Sequence, residues 1–357
     1  MGALRRRYRM SDFVCHLAMG TLLVASSLQV CAQGGGNTSF LAPRQFAAIA
    51  HSTGTHEFIL FGGTEADGTV TTDETWVWSG KGLNLQMPTR HPESRIFAGI
   101  AYDNDRREVV LFGGTDEHSR RTTSTPWVFL RKYPDIPLAA GTQAFYGDTW
   151  IWDGKDWTQR NPSQAPSERD GQEMAYDAAR KQVVLFGGVD EHVGKYLNET
   201  WVWDGSNWKM MKPINVPPGR HLQAMAYDPD HQQIVMFGGM TTGERPLDDT
   251  WIWDGSDWKR AEPSGTLPEA RFEAGMGYDP IEKKIVLISG DVMDSSGGGS
   301  PANDAWTWDG SDWKKLARLE FEQISDFSKF NPRDADRALI VNASSTPVIW
   351  VPTKRRF

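Results

Sequence analysis

The chain has 357 residues, 11% of them aromatic, with 16 Trp, 35 Gly, two Cys and a formal net charge of −8. So many tryptophans and glycines point to an aromatic core laced by tight turns rather than to a disordered chain. The acidic balance argues against a nucleic-acid partner.

Arg5, Arg6, Arg7 and Arg9 form a basic leader, and residues 13–28 form an apolar run too short to span a bilayer comfortably. Val30-Cys31-Ala32 then offers a cleavage site after Ala32. Residues 1–32 therefore read as a cleavable signal peptide, which implies a secreted or periplasmic protein with no membrane span. Lipoprotein processing at Cys31 is the minor alternative. Cleavage removes four Arg and one Asp, leaving a net charge of −11, and it removes both cysteines, Cys15 and Cys31. The mature chain then has neither disulfide nor thiol chemistry.

From Arg44 onward the sequence repeats. Arg44, Arg95, Arg169, Arg220 and Arg271 each open a segment of small residues, at spacings of 51, 74, 51 and 51. A single insertion of about 23 residues in the second copy accounts for the long interval. Next comes a β-branched run closed by a glycine pair, such as Gly113-Gly114 or Gly187-Gly188; in the fifth copy a single glycine, Gly290, remains. Then follows Trp-x-Trp, led by Trp76, Trp150, Trp201, Trp251 and Trp306. Four copies continue as Asp-Gly-x-x-Trp, ending at Trp157, Trp208, Trp258 and Trp313; the first copy lacks this closing Trp.

Each copy predicts four strands: a, the small-residue segment; b, the β-branched run; c, Trp-x-Trp; and d, from the closing Trp. Period-2 alternation puts both tryptophans of a pair on one face, and Asp-Gly supplies the positive φ of a tight c–d hairpin. Fourteen of the 16 tryptophans occupy these slots. Burying one aromatic ring removes ~150–250 Å² from water, at most ~4–6 kcal/mol, so such a core can dispense with disulfides.

These motifs, in five consecutive copies over residues 38–351, resemble the kelch repeat. The resemblance implies an all-β fold, a six-bladed β-propeller like the central domain of galactose oxidase. Blades are expected at about 44–94, 95–168, 169–219, 220–270 and 271–319, with 320–351 plus 37–43 as a worn sixth, all within one domain, 33–357. In that sixth copy residues 338–341 read as strand b and 348–351 as strand c. Strand d is expected from the N-terminus, placing residues near Phe40 beside Trp350 and closing the ring.

Strand alternation sends the b–c and d–a loops to one face and the short a–b and c–d turns to the other. Only the b–c loops vary strongly, so that face is expected to carry any specific function. The longest, 115–147, contains Asp116, Glu117, His118, Arg120 and Arg121, and Asp-Glu-His recurs at Asp190, Glu191 and His192. These two loops leave room for an unknown cation, although no cofactor is called for. The repeated arginines face an equally regular column of acids, Glu74, Asp148, Glu199, Asp249 and Asp304, and read as scaffold ion pairs.

The irregular residues are more informative. Asp170, Glu173, His221 and Glu273 stand on strand a where other copies hold Ala, Gly or Phe. They are the candidates for a site at the channel mouth. The likeness to galactose oxidase does not extend to its activity, since the copper site needs a Tyr–Cys crosslink and the mature chain has no Cys. Kelch-type sialic-acid epimerases use Arg, Glu and His near the channel, residue types present here without an alignable signature. The expected function is an exported, monomeric module binding a protein or glycan through its long-loop face. The alternative is a carbohydrate-active enzyme, epimerase- or lyase-like, with acid–base residues at the mouth.

Overall fold

The computed structural model describes residues 44–52, 55, 57–65, 71–79, 83–116, 144–190, 192–280, 282–293 and 299–316. It also describes the backbone of 321–324, 339–341 and 348–352; at 44, 45 and 65 too, only backbone is described. Residues 1–32, expected to be a signal peptide, residues 37–43, and Glu117, His118, Arg120, Arg121 and Glu191 lie outside the described residues.

The described residues are all-β. Five four-stranded antiparallel sheets follow in chain order, each a meander a-b-c-d. The first comprises Ala48–Ser52, Glu57–Phe61, Thr75–Trp78 and Leu83–Leu85. The second comprises Gly99–Asp103, Glu108–Phe112, Thr149–Trp152 and Trp157–Arg160. The third comprises Glu173–Asp177, Gln182–Phe186, Thr200–Trp203 and Trp208–Met210. Ala224–Asp228, Gln233–Phe237, Thr250–Trp253 and Trp258–Arg260 make the fourth. Gly275–Asp279, Lys284–Ile288, Ala305–Trp308 and Trp313–Lys315 make the fifth. Consecutive sheets adjoin through their a strands, a propeller-like arrangement.

Strand b explains the layering. Val109–Phe112, Val183–Phe186 and Ile234–Phe237 are buried on both faces, which only a continuous apolar run tolerates. Strand d supplies the ring contacts between neighbours. The closing Trp of one sheet lies edge-on to the b-strand Phe of the sheet before it: Phe61–Trp157, Phe112–Trp208, Phe186–Trp258 and Phe237–Trp313, at 5.1–5.4 Å. The same indole donates its N–H to the Thr that begins the preceding strand c. The four bonds are Trp157 to Thr75, Trp208 to Thr149, Trp258 to Thr200 and Trp313 to Thr250, at 2.8–2.9 Å.

The repeated arginine binds within its sheet and across to the previous one. Arg220 is fully buried and donates to the Pro218 and Gly238 carbonyls and, through both terminal nitrogens, to Asp249 at 2.6 and 2.8 Å. Asp249 also accepts the Trp251 indole N–H. Arg95 with Asp148, Arg169 with Glu199 and Arg271 with Asp304 repeat the node, whereas the Arg44 side chain is outside the description. Meanwhile the Arg220 carbonyl accepts the N–H of Gly188 in the third sheet. A Cβ on Gly187 would stand 2.4 Å from that carbonyl oxygen, so the first glycine of the pair is required by close approach.

The C-terminal strands form a three-stranded sheet with Val348–Pro352 in the centre, flanked by Phe321–Ile324 and Leu339–Val341. Gln323 and Leu339 stand opposite Trp350. This differs from the expectation that residues near Phe40 pair beside Trp350. A strand has two edges, and both edges of Val348–Pro352 are taken. Phe321–Ile324 occupies the edge assigned to the N-terminal segment, whose residues 37–43 lie outside the described residues. Leu339–Val341 lies against the a strands Gly275–Asp279 and Ala48–Ser52, the innermost position rather than that of a strand b.

The nodes predict unequal losses of stability. Thr149→Val strands the buried Trp208 N–H and should cost about 1–3 kcal/mol in urea unfolding. Arg220→Met leaves Asp249 without its guanidinium and should cost more, about 3–5 kcal/mol, with no rescue by Arg220→Lys. A loss below about 0.5 kcal/mol for Arg220→Met would contradict the assignment.

Candidate functional site at the inner rim

Strand a is entered through four residues that follow each repeated Arg. The residue directly after it is Ile96, Asp170, His221 or Phe272, all buried. Each bridges to the start of its own b–c loop: Ile96 to Thr115, Asp170 to Val189, His221 to Met240, and Phe272 to Asp291. These four side chains therefore sit at the b–c end of the inner rim, beneath the variable loops.

The next position is Phe46, Phe97, Gly171, Leu222 or Glu273, and in every copy φ is positive, between 55° and 63°. The reason is a chain of backbone hydrogen bonds running from copy to copy. Phe97 N–H donates to the Phe46 carbonyl, Gly171 to Phe97, Leu222 to Gly171 and Glu273 to Leu222, at 2.8–3.4 Å. The left-handed turn costs a non-glycine residue of the order of 1 kcal/mol. Its repetition in all five copies makes it part of the scaffold. The outcome is a collar, in which Phe46 and Phe97 pack ring to ring at 4.5 Å. Glu273 is a member of this collar, and its backbone conformation is the shared one.

One position further along, the copies diverge. Where others hold Ala47, Ala98 and Ala274, the third and fourth hold Gln172 and Gln223. Each is buried, and each donates Nε2–H to the carbonyl of the preceding copy's b-strand Phe, Gln172 to Phe112 and Gln223 to Phe186, at 2.8 Å. That bond fixes the amide orientation, since a flip would set oxygen against oxygen. Both Oε1 atoms are buried and unpartnered among the described residues.

The last of the four positions is Ala48, Gly99, Glu173, Ala224 or Gly275. Glu173 alone carries a functional group. It is half-buried and pairs in the ladder with Phe186, the residue whose carbonyl Gln223 holds, so the Gln223 amide lies beside Glu173. Burial pushes the Glu173 carboxyl up to about 8, with no charged neighbour contributing. His221 packs over Gly171, where a Cβ would meet its ring at 3.1–3.4 Å, and stands edge-on to Tyr196. Its Nε2 is buried without a partner among the described residues, and burial pulls the imidazole down to about 4. At neutral pH His221 is therefore a neutral imidazole and Glu173 a carboxyl that holds its proton.

The structure thus places Asp170, Glu173 and His221 on two adjacent copies at the same end of the inner rim, with Glu273 on the next. Gln172 and Gln223 complete the polar sector. The alignment that marked the other four also marks these two, because both replace alanine.

The loop residues are arranged differently. Residues 115–116 and 144–145 zip together, Asp116 N–H bonding the Ala144 carbonyl, so the long excursion leaves and returns through one narrow base. His192 meets Phe145 of that base edge-on at 4.9 Å and bonds Glu168 at 3.1 Å, while Asp190 accepts the His192 backbone N–H. His192 of the second loop thus touches the base of the first at Phe145, while Glu117, His118 and Glu191 lie outside the described residues. No group of three metal-ligating side chains forms among the described residues. A cleft of about 610 Å³ opens beside the base, lined by Phe145, Tyr146, Gln159, Arg160 and Glu168 among others. Among the described residues no helix is long and apolar enough to cross a membrane.

No family model matches the chain, and no curated protein matches it in sequence.

A raised carboxyl pKa has a signed consequence for stability. The folded state keeps the Glu173 proton that the unfolded chain releases above about 4.5. Stability is therefore lost as pH rises from about 4.5 to about 8, by at most about 1.4 kcal/mol per unit. Glu173→Ala, which installs the residue of the first and fourth copies, should abolish that slope. It should unfold at higher urea than the parent at pH 8 and near the same urea at pH 4. An unchanged pH slope would show that Glu173 is solvated.

Proposed function

We propose that the chain is an exported, six-bladed kelch-type propeller that binds a protein or glycan ligand on its b–c face, over the inner rim of the third and fourth copies. The observation that carries this reading is the confinement of the polar, pattern-breaking residues to one sector, beneath the one face whose loops vary. A scaffold residue recurs in every copy; Asp170, Gln172, Glu173, His221 and Gln223 do not. The Oε1 atoms of Gln172 and Gln223 and the Nε2 of His221 are buried without partners among the described residues, which is costly to keep, and a ligand would satisfy them. Closure into six blades is supported by Leu339–Val341, which adjoins the a strands of both the first and the fifth sheets. Export rests on the basic leader, the apolar run and the small-residue site at Ala32.

The second reading, a carbohydrate-active enzyme, draws on Glu173 alone. A carboxyl protonated at neutral pH suits general-acid work. Acid–base catalysis on a sugar usually needs a second group of opposite protonation, and no charged neighbour shifts Glu173.

Glycan and peptide arrays probed with the purified protein test the binding reading. A retained ligand should lose at least tenfold in affinity with Glu173→Ala or His221→Ala. It should be unaffected by Asp156→Ala or Asn207→Ala in the c–d turns of the opposite face. The reverse pattern would sink the reading.

A further inference from the structure

The cross-links between consecutive sheets each need a half from either side. The earlier sheet offers a strand-b Phe and a strand-c Thr to the closing Trp of the next, as Phe186 and Thr200 do to Trp258. Its first paired glycine leaves room for the next arginine carbonyl. A Cβ at Gly62, Gly113, Gly187 or Gly238 would stand 2.4–2.7 Å from that oxygen. In the second and third sheets an a–b turn arginine also reaches forward. Arg106 donates to the Lys181 and Asp204 carbonyls, and Arg180 to those of Gln232 and Asp254. His231 takes that place in the fourth sheet, with its ring against Gly310.

The fifth sheet has lost all four forward halves together. Ile288 stands for the Phe, Ala305 for the Thr, Ser289 for the first glycine and Glu282 for the turn cation. Isoleucine has no ring, alanine no acceptor, and a carboxylate no N–H to donate. Ser289 is the most telling of the four. It keeps the left-handed φ, 56°, but carries a Cβ where the other copies leave room for the next carbonyl. The same close approach is therefore closed to the chain that follows. The other end of the run is altered too. Leu83 stands opposite Trp78 where Trp157 stands opposite Trp152, so the first sheet offers no closing indole. The C-terminal sheet, whose Leu339–Val341 adjoins the a strands of both end sheets, thus meets neither with these cross-links.

Elements unfold together when each holds the other through contacts it cannot make alone. The four seams among the tryptophan-bearing sheets have such contacts, and the seam after the fifth sheet does not. We propose that this seam is built to open: the sheet of Phe321–Ile324, Leu339–Val341 and Val348–Pro352 undocks as a unit while the other five sheets stay folded. Undocking frees the a strands Gly275–Asp279 and Ala48–Ser52, which Leu339–Val341 otherwise adjoins. The inference is independent of the ligand proposed above.

The test is native-state hydrogen exchange of the full chain, read by mass spectrometry in rising, sub-denaturing urea. Val348–Pro352 is the central strand of its sheet, so fraying at an edge does not account for its exchange. Its amides should be protected without urea, yet open at least about a hundredfold more often than those of Glu108–Phe112. They should share one urea dependence with Phe321–Ile324, the mark of a single unit. Thr200→Val weakens a seam elsewhere, since it removes the acceptor of the Trp258 N–H. It should raise the opening of Glu108–Phe112 about tenfold and leave that of Val348–Pro352 unchanged, because Thr200 stays folded when the C-terminal sheet undocks. Equal opening of the two strands, or a parallel rise of both in Thr200→Val, would overturn the proposal. So would a Val348–Pro352 without protection in the absence of urea, since a sheet that never docks cannot open.

Discussion

The buried arginine that opens each repeat organises the molecule. A guanidinium withdrawn from water must use its donors, and here they reach two carbonyls and a carboxylate of its own sheet. That carboxylate in turn holds the first indole of Trp-x-Trp. The arginine carbonyl meanwhile takes the N–H of the previous glycine pair, so one residue locks strands b and c together and joins two sheets. The acids respond accordingly. Burial pulls Asp304 upward, but the Arg271 guanidinium and the Trp306 indole bring it down to about 2. Once these nodes and the Trp–Thr bonds are set, the glycine pair, the threonine before each Trp and the small residues of strand a all follow from geometry.

Much of this was legible in the residues because repetition exposes scaffold. Trp150, Trp201, Trp251 and Trp306 marked strand c, and Gly113-Gly114 and Gly187-Gly188 marked the end of strand b. What repetition could not show was partnership. Nothing in the spacing of Thr149 and Trp208 says that they bond across sheets, since 59 residues separate them. The collar was hidden for a related reason: Phe46, Phe97, Gly171, Leu222 and Glu273 share no side-chain type, and only their common positive φ unites them. The C-terminal sheet was misread because the worn copy keeps neither the arginine nor the glycine pair that set the register elsewhere. Phe321–Ile324, with no motif to mark it, took the edge expected for the N-terminal segment.

The candidate site was legible in outline. Asp170, Glu173, His221 and Glu273 were visible as exceptions to a pattern, while Gln172 and Gln223, equally exceptional, gained meaning only from the carbonyls they hold. Sequence could not reveal that Glu173 lies beside Gln223, because they belong to different copies and meet only through Phe186. It could not separate Glu273, which sits in a collar common to all copies, from residues whose side chains break the pattern inside the rim. A fold built from near-identical copies tolerates a few polar substitutions on strand a, because the scaffold is carried by the residues that recur.

The central claim is that the polar sector serves a ligand and not the fold. The most direct measurement is the urea unfolding free energy of a variant carrying the other copies' residues throughout the sector: Asp170→Ile, Gln172→Ala, Glu173→Ala, His221→Phe and Gln223→Ala. The account predicts a protein at least as stable as the parent that no longer retains its ligand. A loss of several kcal/mol with the ligand still bound would show that these residues are structural.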